Sequence, residues 1–85
     1  MSPQQLRSIV SRNIRARRNE LHMNQQSLAV ACRVKQATIS RIESGKSAID
    51  DEILALLGEA LSVHPATLMI EATAKAAKRN LKIGA

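Results

Sequence analysis

The chain has 85 residues, a net charge of +6, a single cysteine and no Phe, Trp or Tyr. This length suits one small domain, and one cysteine excludes an internal disulfide. Without aromatic side chains there is no platform for stacking single-stranded bases. No apolar run approaches the roughly 20 residues that span a bilayer, and the N-terminus lacks the apolar centre of a signal peptide. We therefore expect a soluble cytoplasmic protein with an aliphatic core.

The pattern of apolar residues predicts an all-α fold of five helices. For helix 1, Ser2, Pro3 and Gln5 fit an N-cap, a first helical position and the third position of a capping box. Apolar residues then recur at helical spacing, and the helix should end near residues 21–23. These apolar positions are Leu6, Ile9, Val10, Ile14 and Leu21.

Residues 24–46 predict two short helices with a tight corner between them. Asn24 would cap helix 2, over residues 25–32, and Gly45 would end helix 3, over residues 35–44. Arg33 and Val34 would form the corner, with Ala29 where the two helices cross. The inward positions are Leu28, Ala29, Cys32, Ile39 and Ile42; the outward positions on helix 3 are Lys35, Gln36, Ala37, Ser40 and Arg41.

Two further helices are predicted after a short loop. Asp50, Asp51 and Glu52 place negative charge at the start of helix 4, where it favours the helix dipole. Helix 5 should begin near Pro65 and pack back on the core. The buried positions would be Ile53, Leu54, Leu57 and Leu61 in helix 4, and Leu68 and Met69 in helix 5.

The charge divides the chain into basic and acidic segments. Residues 1–23 carry five Arg against one Glu, and residues 24–48 carry four cations against one Glu. Residues 49–71 carry five acids and no cation, whereas residues 72–85 carry four cations. An acidic surface such as duplex phosphate would suit the first half. We divide the chain into a domain over residues 1–70 and a basic tail over residues 71–85, which would extend helix 5 or form a short strand or arm, and is a possible dimerisation element.

The segment from Gln25 to Lys46 resembles the helix-turn-helix of the phage repressor, Cro and Xre-like family of DNA-binding proteins. Gln25 opens the first helix, Leu28 and Ala29 lie inside it, Val34 follows the turn, and TISRIESGK follows from residue 38. With flanking elements the resemblance covers roughly residues 6 to 70. It implies a compact five-helix, lambda-repressor-like domain.

The resemblance also implies which side chains touch duplex DNA. In such proteins helix 3 enters the major groove, so Gln36 would read an adenine edge and Arg41 a guanine edge, or either would bind a phosphate. Asn24, Gln25 and Lys46 would lie at the phosphate backbone, with Gln25 either on a phosphate or bracing Gln36. The implied DNA-binding set is Asn24, Gln25, Lys35, Gln36, Ala37, Ser40, Arg41 and Lys46.

In relatives the residues at the positions of Arg18 and Glu43 form an ion pair that joins helix 1 to the end of helix 3. We expect the same structural pair here. The remaining arginines of helix 1 are expected to be solvated or to steer DNA loosely; they are Arg7, Arg12, Arg15 and Arg17. Relatives often carry Gly at three tight turns where this chain has His22, Arg33 and Ser62, so these turns are expected to be strained.

The predicted function is sequence-specific binding of double-stranded DNA as a transcriptional regulator. One recognition helix reads only a few base pairs, so we expect a homodimer on a near-palindromic operator. The dimer would act as a repressor by covering promoter DNA. A bacterial or phage origin and association with the nucleoid are expected.

Other functions remain open on the sequence alone. A restriction-modification controller protein and an antitoxin bound to a toxin have the same DNA-binding domain. A protein-interaction adaptor that no longer reads DNA is the alternative from another class. We expect no enzyme activity, cofactor or membrane partner. Cys32, His22 and His64 lack metal-ligand spacing, and Cys32 falls on the buried face of its helix.

Overall fold

A computed structural model describes residues 1–71, which form four α-helices and one short 3-10 helix. The helices are α1 (Pro3–Glu20), α2 (Gln25–Cys32), α3 (Gln36–Glu43) and α4 (Asp51–Leu61), followed by the 3-10 helix Pro65–Met69. The all-α class is confirmed, and α2 and α3 form the predicted helix-turn-helix. The basic tail assigned to residues 71–85 lies, apart from its first residue, outside the described residues.

Local side-chain caps start three of the four α-helices. Ser2 Oγ accepts from Gln5 N at 3.1 Å, while Ser2 N donates to Gln5 Oε1 at 2.7 Å, which is the predicted capping box. Asn24 Oδ1 accepts from Ser27 N at 2.8 Å at the start of α2. Asp50 Oδ1 accepts from Ile53 N at 2.8 Å at the start of α4. These short-range contacts fix where each helix begins.

One aliphatic core lies between the helices. Its fully buried side chains include Ile14 from α1, Leu28 from α2, Ile39 from α3, Leu57 from α4 and Leu68 from the 3-10 helix. Burying a side chain of this size contributes roughly 1.5 to 3 kcal/mol to the stability of the fold. Each element is therefore held in the fold mainly by its own buried apolar side chains. Ala29 is 1% exposed, in keeping with the small residue predicted where α2 meets α3.

The predicted fifth helix is wrong in type. It begins at Pro65, as expected, but it is a five-residue 3-10 helix, and Ile70 already has an extended backbone at φ −92° and ψ 132°. Asn13 Nδ2 donates to the carbonyl oxygens of Leu68 (2.8 Å) and Ile70 (2.7 Å). These bonds from α1 hold the non-helical geometry. Met69, predicted to be buried, is 42% exposed.

Within residues 1–71, three turns have a left-handed backbone at a residue other than glycine. The φ angles are 57° at His22, 59° at Arg33 and 57° at Ser62. The left-handed conformation costs an L-residue roughly 1 to 2 kcal/mol because its Cβ crowds the following carbonyl oxygen. The strain predicted at these positions is therefore present in the backbone.

Replacing Ser62 by glycine is expected to stabilise the protein. Ser62 is exposed, ends α4 and has φ 57°, so the substitution removes the Cβ without removing a buried contact. We expect a gain of about 1 kcal/mol, which would raise Tm by about 4 to 8 °C in a domain of this size. Thermal unfolding followed by circular dichroism measures it. The control is Ser44→Gly, at φ −91°, which should not stabilise. An equal or lower Tm for Ser62→Gly would contradict the prediction.

Within residues 1–71, no helix is both long enough and apolar enough to cross a membrane.

Candidate nucleic-acid interface

The corner between α2 and α3 is built from backbone hydrogen bonds. Arg33, in the left-handed region, ends α2, and Val34 N donates to Ala29 O at 3.0 Å. Lys35 then starts α3 with an extended backbone and no side-chain cap. Val34 is half-buried and packs against the core, as predicted. The backbone of the corner thus sets the orientation of α3 relative to α2 without a contribution from the side chains of α3.

The outward face of α3 carries polar side chains with no partner in the described part of the chain. Ile39, Ile42 and Glu43 are buried, and the residues between them point to solvent. The side chains of Gln36, Ser40 and Arg41 make no hydrogen bond to other residues in 1–71. Their donors and acceptors are therefore available to another molecule. The exposed face comprises Lys35, Gln36, Ala37, Ser40 and Arg41.

The start of α2 offers free backbone N–H groups. The side-chain oxygen of Asn24 accepts from Ser27 N, and its backbone carbonyl oxygen accepts from Leu28 N. Among residues 1–71, the N–H groups of Gln25 and Gln26 have no acceptor. A helix N-terminus with unpaired N–H groups favours an anion such as a phosphate.

Gln25 contacts a residue that was not among its two predicted partners, a phosphate or Gln36. Its Nε2 donates to Glu43 Oε1 at 3.2 Å rather than to Gln36. Gln25 is half-buried and thus links the start of α2 to the end of α3. Whether it also binds a phosphate stays a prediction.

Glu43 is a buried carboxylate held by Arg18, so the predicted ion pair is present. Arg18 Nε lies 2.7 Å from Glu43 Oε2 and Arg18 Nη2 lies 3.0 Å from Oε1. Arg18 Nη1 also donates to Met23 O at 2.8 Å. The Glu43 and Arg18 side chains are 3% and 14% exposed. The hydrogen bond with Glu43 raises the pKa of Arg18, which keeps the guanidinium charged.

Lys46 lies just beyond the end of α3, where Gly45 reverses the chain. Gly45 has φ 75°, and Lys46 N donates back to Arg41 O at 3.0 Å. Lys46 is exposed. Its position is therefore tied to the same helix that carries Gln36 and Arg41.

Two arginines of α1 that we expected to be solvated instead contact the ends of other helices. Arg15 Nη1 donates to the backbone carbonyl oxygen of Glu43, at the end of α3. Arg17 Nε donates to Leu61 O, at the end of α4, at 2.9 Å. The sequence offered one signal for Arg15: it lies three residues before Arg18 and so on the same side of α1.

The His, Cys, Asp and Glu side chains of residues 1–71 are not arranged as a metal site, and the cysteine is buried. No group of three His, Cys, Asp or Glu side chains in 1–71 is placed to hold a metal ion. Cys32 is 1% exposed, and burial raises the pKa of its thiol, which disfavours the reactive thiolate.

A family profile and several solved structures are similar to this chain. Residues 14–68 match the helix-turn-helix family profile. The structure is similar to the clp gene regulator ClgR from C. glutamicum, with 30% identity and a TM-score of 0.74 over 82% of this chain and 91% of that one. A mutant of the restriction-modification controller protein C.Esp1396I has 30% identity and a TM-score of 0.69 over 74% of this chain and 82% of that one.

A third structure shares the fold at lower identity. It is a hypothetical transcription factor, NHTF, from Neisseria, with 22% identity and a TM-score of 0.82 over 89% of this chain and 87% of that one. No curated protein sequence matches the chain. Because the family match spans more than half of the residues and coincides with the observed α2–α3 geometry, the chain belongs to the helix-turn-helix family of Xre-like and lambda-repressor-like DNA-binding regulators.

Proposed function

We propose that this DNA-binding regulator reads a specific duplex sequence with α3 in the major groove and represses transcription as a homodimer. The observation that carries the proposal is the outward face of α3, whose polar side chains have no partner within residues 1–71. Gln36 and Arg41 have the fork-shaped groups that pair with adenine and guanine edges. Ala37 and Ser40 lie beside them. Ala37 would touch a thymine methyl, and Ser40 would bind a base or a phosphate.

The surroundings of α3 supply phosphate contacts in the same proposal. The free N–H groups of Gln25 and Gln26 lie at the start of α2, which Gln25 joins to the end of α3 through Glu43, and Lys46 follows that same end of the recognition helix. Backbone contacts of this kind set the register on the duplex without reading sequence. Lys35, which starts α3, adds a further cation to this surface.

The proposal of a dimer follows from the size of the reading surface. One helix of eight residues contacts only a few base pairs, which is too few to select one site in a genome. Two copies on half-sites about one helical turn apart would double the recognised sequence. Covering a promoter in this way would exclude polymerase, so occupancy would depend on protein concentration.

Selection of bound sequences from a random duplex pool tests the function. Mass measurement in solution at the same concentrations gives the number of chains on each DNA. We expect an enriched inverted repeat with half-sites about ten base pairs apart, bound by two chains. Affinity should fall steeply between 50 and 200 mM salt, by on the order of several powers of ten if six or more phosphates are contacted. A pool without enrichment would refute specific binding and favour an adaptor.

The likeness to C.Esp1396I supports a second candidate function, the control of restriction-modification genes. This candidate keeps the same DNA-binding surface and differs in the genes under control. The selected operator discriminates the two, since a controller's operator should lie upstream of restriction-modification genes.

A further inference from the structure

The end of α3 is held by α1 through both polar groups of one residue. The backbone carbonyl oxygen of Glu43 accepts from Arg15, and its carboxylate accepts from Arg18. The two arginines are three residues apart and therefore lie on the same face of α1. Together they connect α1 to the last residue of the recognition helix at two separate points.

Arg15 supplies a hydrogen-bond donor to the last carbonyl oxygen of α3. A helix leaves its last four carbonyl oxygens without partners inside the helix. Here Ser40 O accepts from Ser44 N, Arg41 O from Lys46 N, and Ile42 O from Gly45 N, at 3.0 to 3.1 Å. Glu43 O is the remaining one, and Arg15 is its donor.

We propose that Arg15 is a positioning residue that sets the orientation of the recognition helix without contacting DNA. The proposal rests on the function proposed above. A guanidinium at a helix C-terminus is favoured by the helix dipole. Arg41 lies two residues before Glu43 and Lys46 three after, so a change at Glu43 moves contacts that read bases and contacts that bind phosphate. Arg15 thus acts on DNA recognition through α3.

The rival role for Arg15 is a direct phosphate contact, because its side chain is exposed. The two roles differ in their dependence on salt. Loss of a phosphate contact weakens binding to operator and random DNA alike. It also lowers the salt slope, which is the steepness with which log affinity falls with log salt concentration, by about one. Loss of a positioning residue lowers the preference for the operator and leaves the slope unchanged.

The test compares Arg15→Ala with Arg12→Ala. Arg12 is exposed on the same helix and makes no hydrogen bond to another residue among 1–71, so this control removes the same charge without changing α3. For Arg15→Ala we expect on the order of tenfold weaker binding to the operator, with binding to random duplex and the salt slope equal to those of the control. Arg15→Lys, which keeps one donor for Glu43 O, should recover part of the loss.

Hydrogen exchange in the DNA-free protein provides an independent measurement. The amides of Gly45 and Lys46 should exchange faster in Arg15→Ala than in Arg12→Ala, because the end of α3 is less restrained. Unchanged exchange, or a salt slope lowered by about one relative to the control, would overturn the proposal. If the wild-type protein selects no sequence, the proposed function fails, but exchange still shows whether Arg15 restrains α3.

Discussion

Replacing Arg41 by alanine is expected to weaken binding to the selected operator by about 1 to 3 kcal/mol and to relax the preference at one base position. The effect follows from the exposed guanidinium, which has no partner in residues 1–71 and can donate two bonds to one guanine. Binding to random duplex should change much less. Competition binding with single-base operator variants measures both quantities.

The matched control for Arg41 is Lys46→Ala. Lys46 is also exposed and is joined to Arg41 through its backbone, but its ammonium suits a phosphate. Its removal should weaken binding to all duplexes by a similar factor and lower the salt slope by about one. Neither side chain is buried, so unfolding free energies should stay within about 0.5 kcal/mol of wild type. An Arg41→Ala protein with unchanged base preference would contradict a base contact by this residue.

The features predicted correctly from the sequence are those fixed over short distances along the chain. The capping box at Ser2 and Gln5, the cap at Asn24 and the corner at Val34 each join residues at most five positions apart. Their geometry depends mainly on residue type and spacing, which the sequence displays directly. The alternation of buried and exposed positions along α3 followed from helical periodicity for the same reason.

The features that were missed depend on contacts between distant segments. Asn13 holds the 3-10 helix through bonds to residues 55 and 57 positions away, so the sequence near Pro65 alone favoured an ordinary helix. Arg15 contacts Glu43 across 28 positions and Arg17 contacts Leu61 across 44. Whether a long side chain reaches a carbonyl oxygen depends on how the helices cross, and periodicity does not specify that.

The Arg18–Glu43 ion pair was inferred from the family resemblance, since charge pattern alone does not select Arg18 among five arginines of α1. Its geometry explains why this position differs from its neighbours. Arg18 makes hydrogen bonds to Glu43 and to Met23 O and is largely covered by protein. The pair therefore joins α1, the turn before α2 and the end of α3.

Removing one member of this pair is expected to have the largest effect on stability. Arg18→Met leaves the Glu43 carboxylate buried with Gln25 as its remaining side-chain partner, and an uncompensated buried charge costs about 3 to 5 kcal/mol. Because Arg18 is 14% exposed, we expect a value near the lower end of that range. A chain of this length has a total stability on the order of 4 to 13 kcal/mol, so the variant should be close to unfolding. Urea unfolding measures the change.

A double variant separates the pair from the packing around it. Arg18→Met combined with Glu43→Met removes both charges and keeps apolar volume at both positions, so it should be less destabilised than the sum of the single variants by at least about 1 kcal/mol. The stems of both side chains already pack inside the protein, and no buried charge is left alone. Additive losses would mean that Arg18 and Glu43 act independently, and the close contact between them would then contribute nothing to the free energy of unfolding.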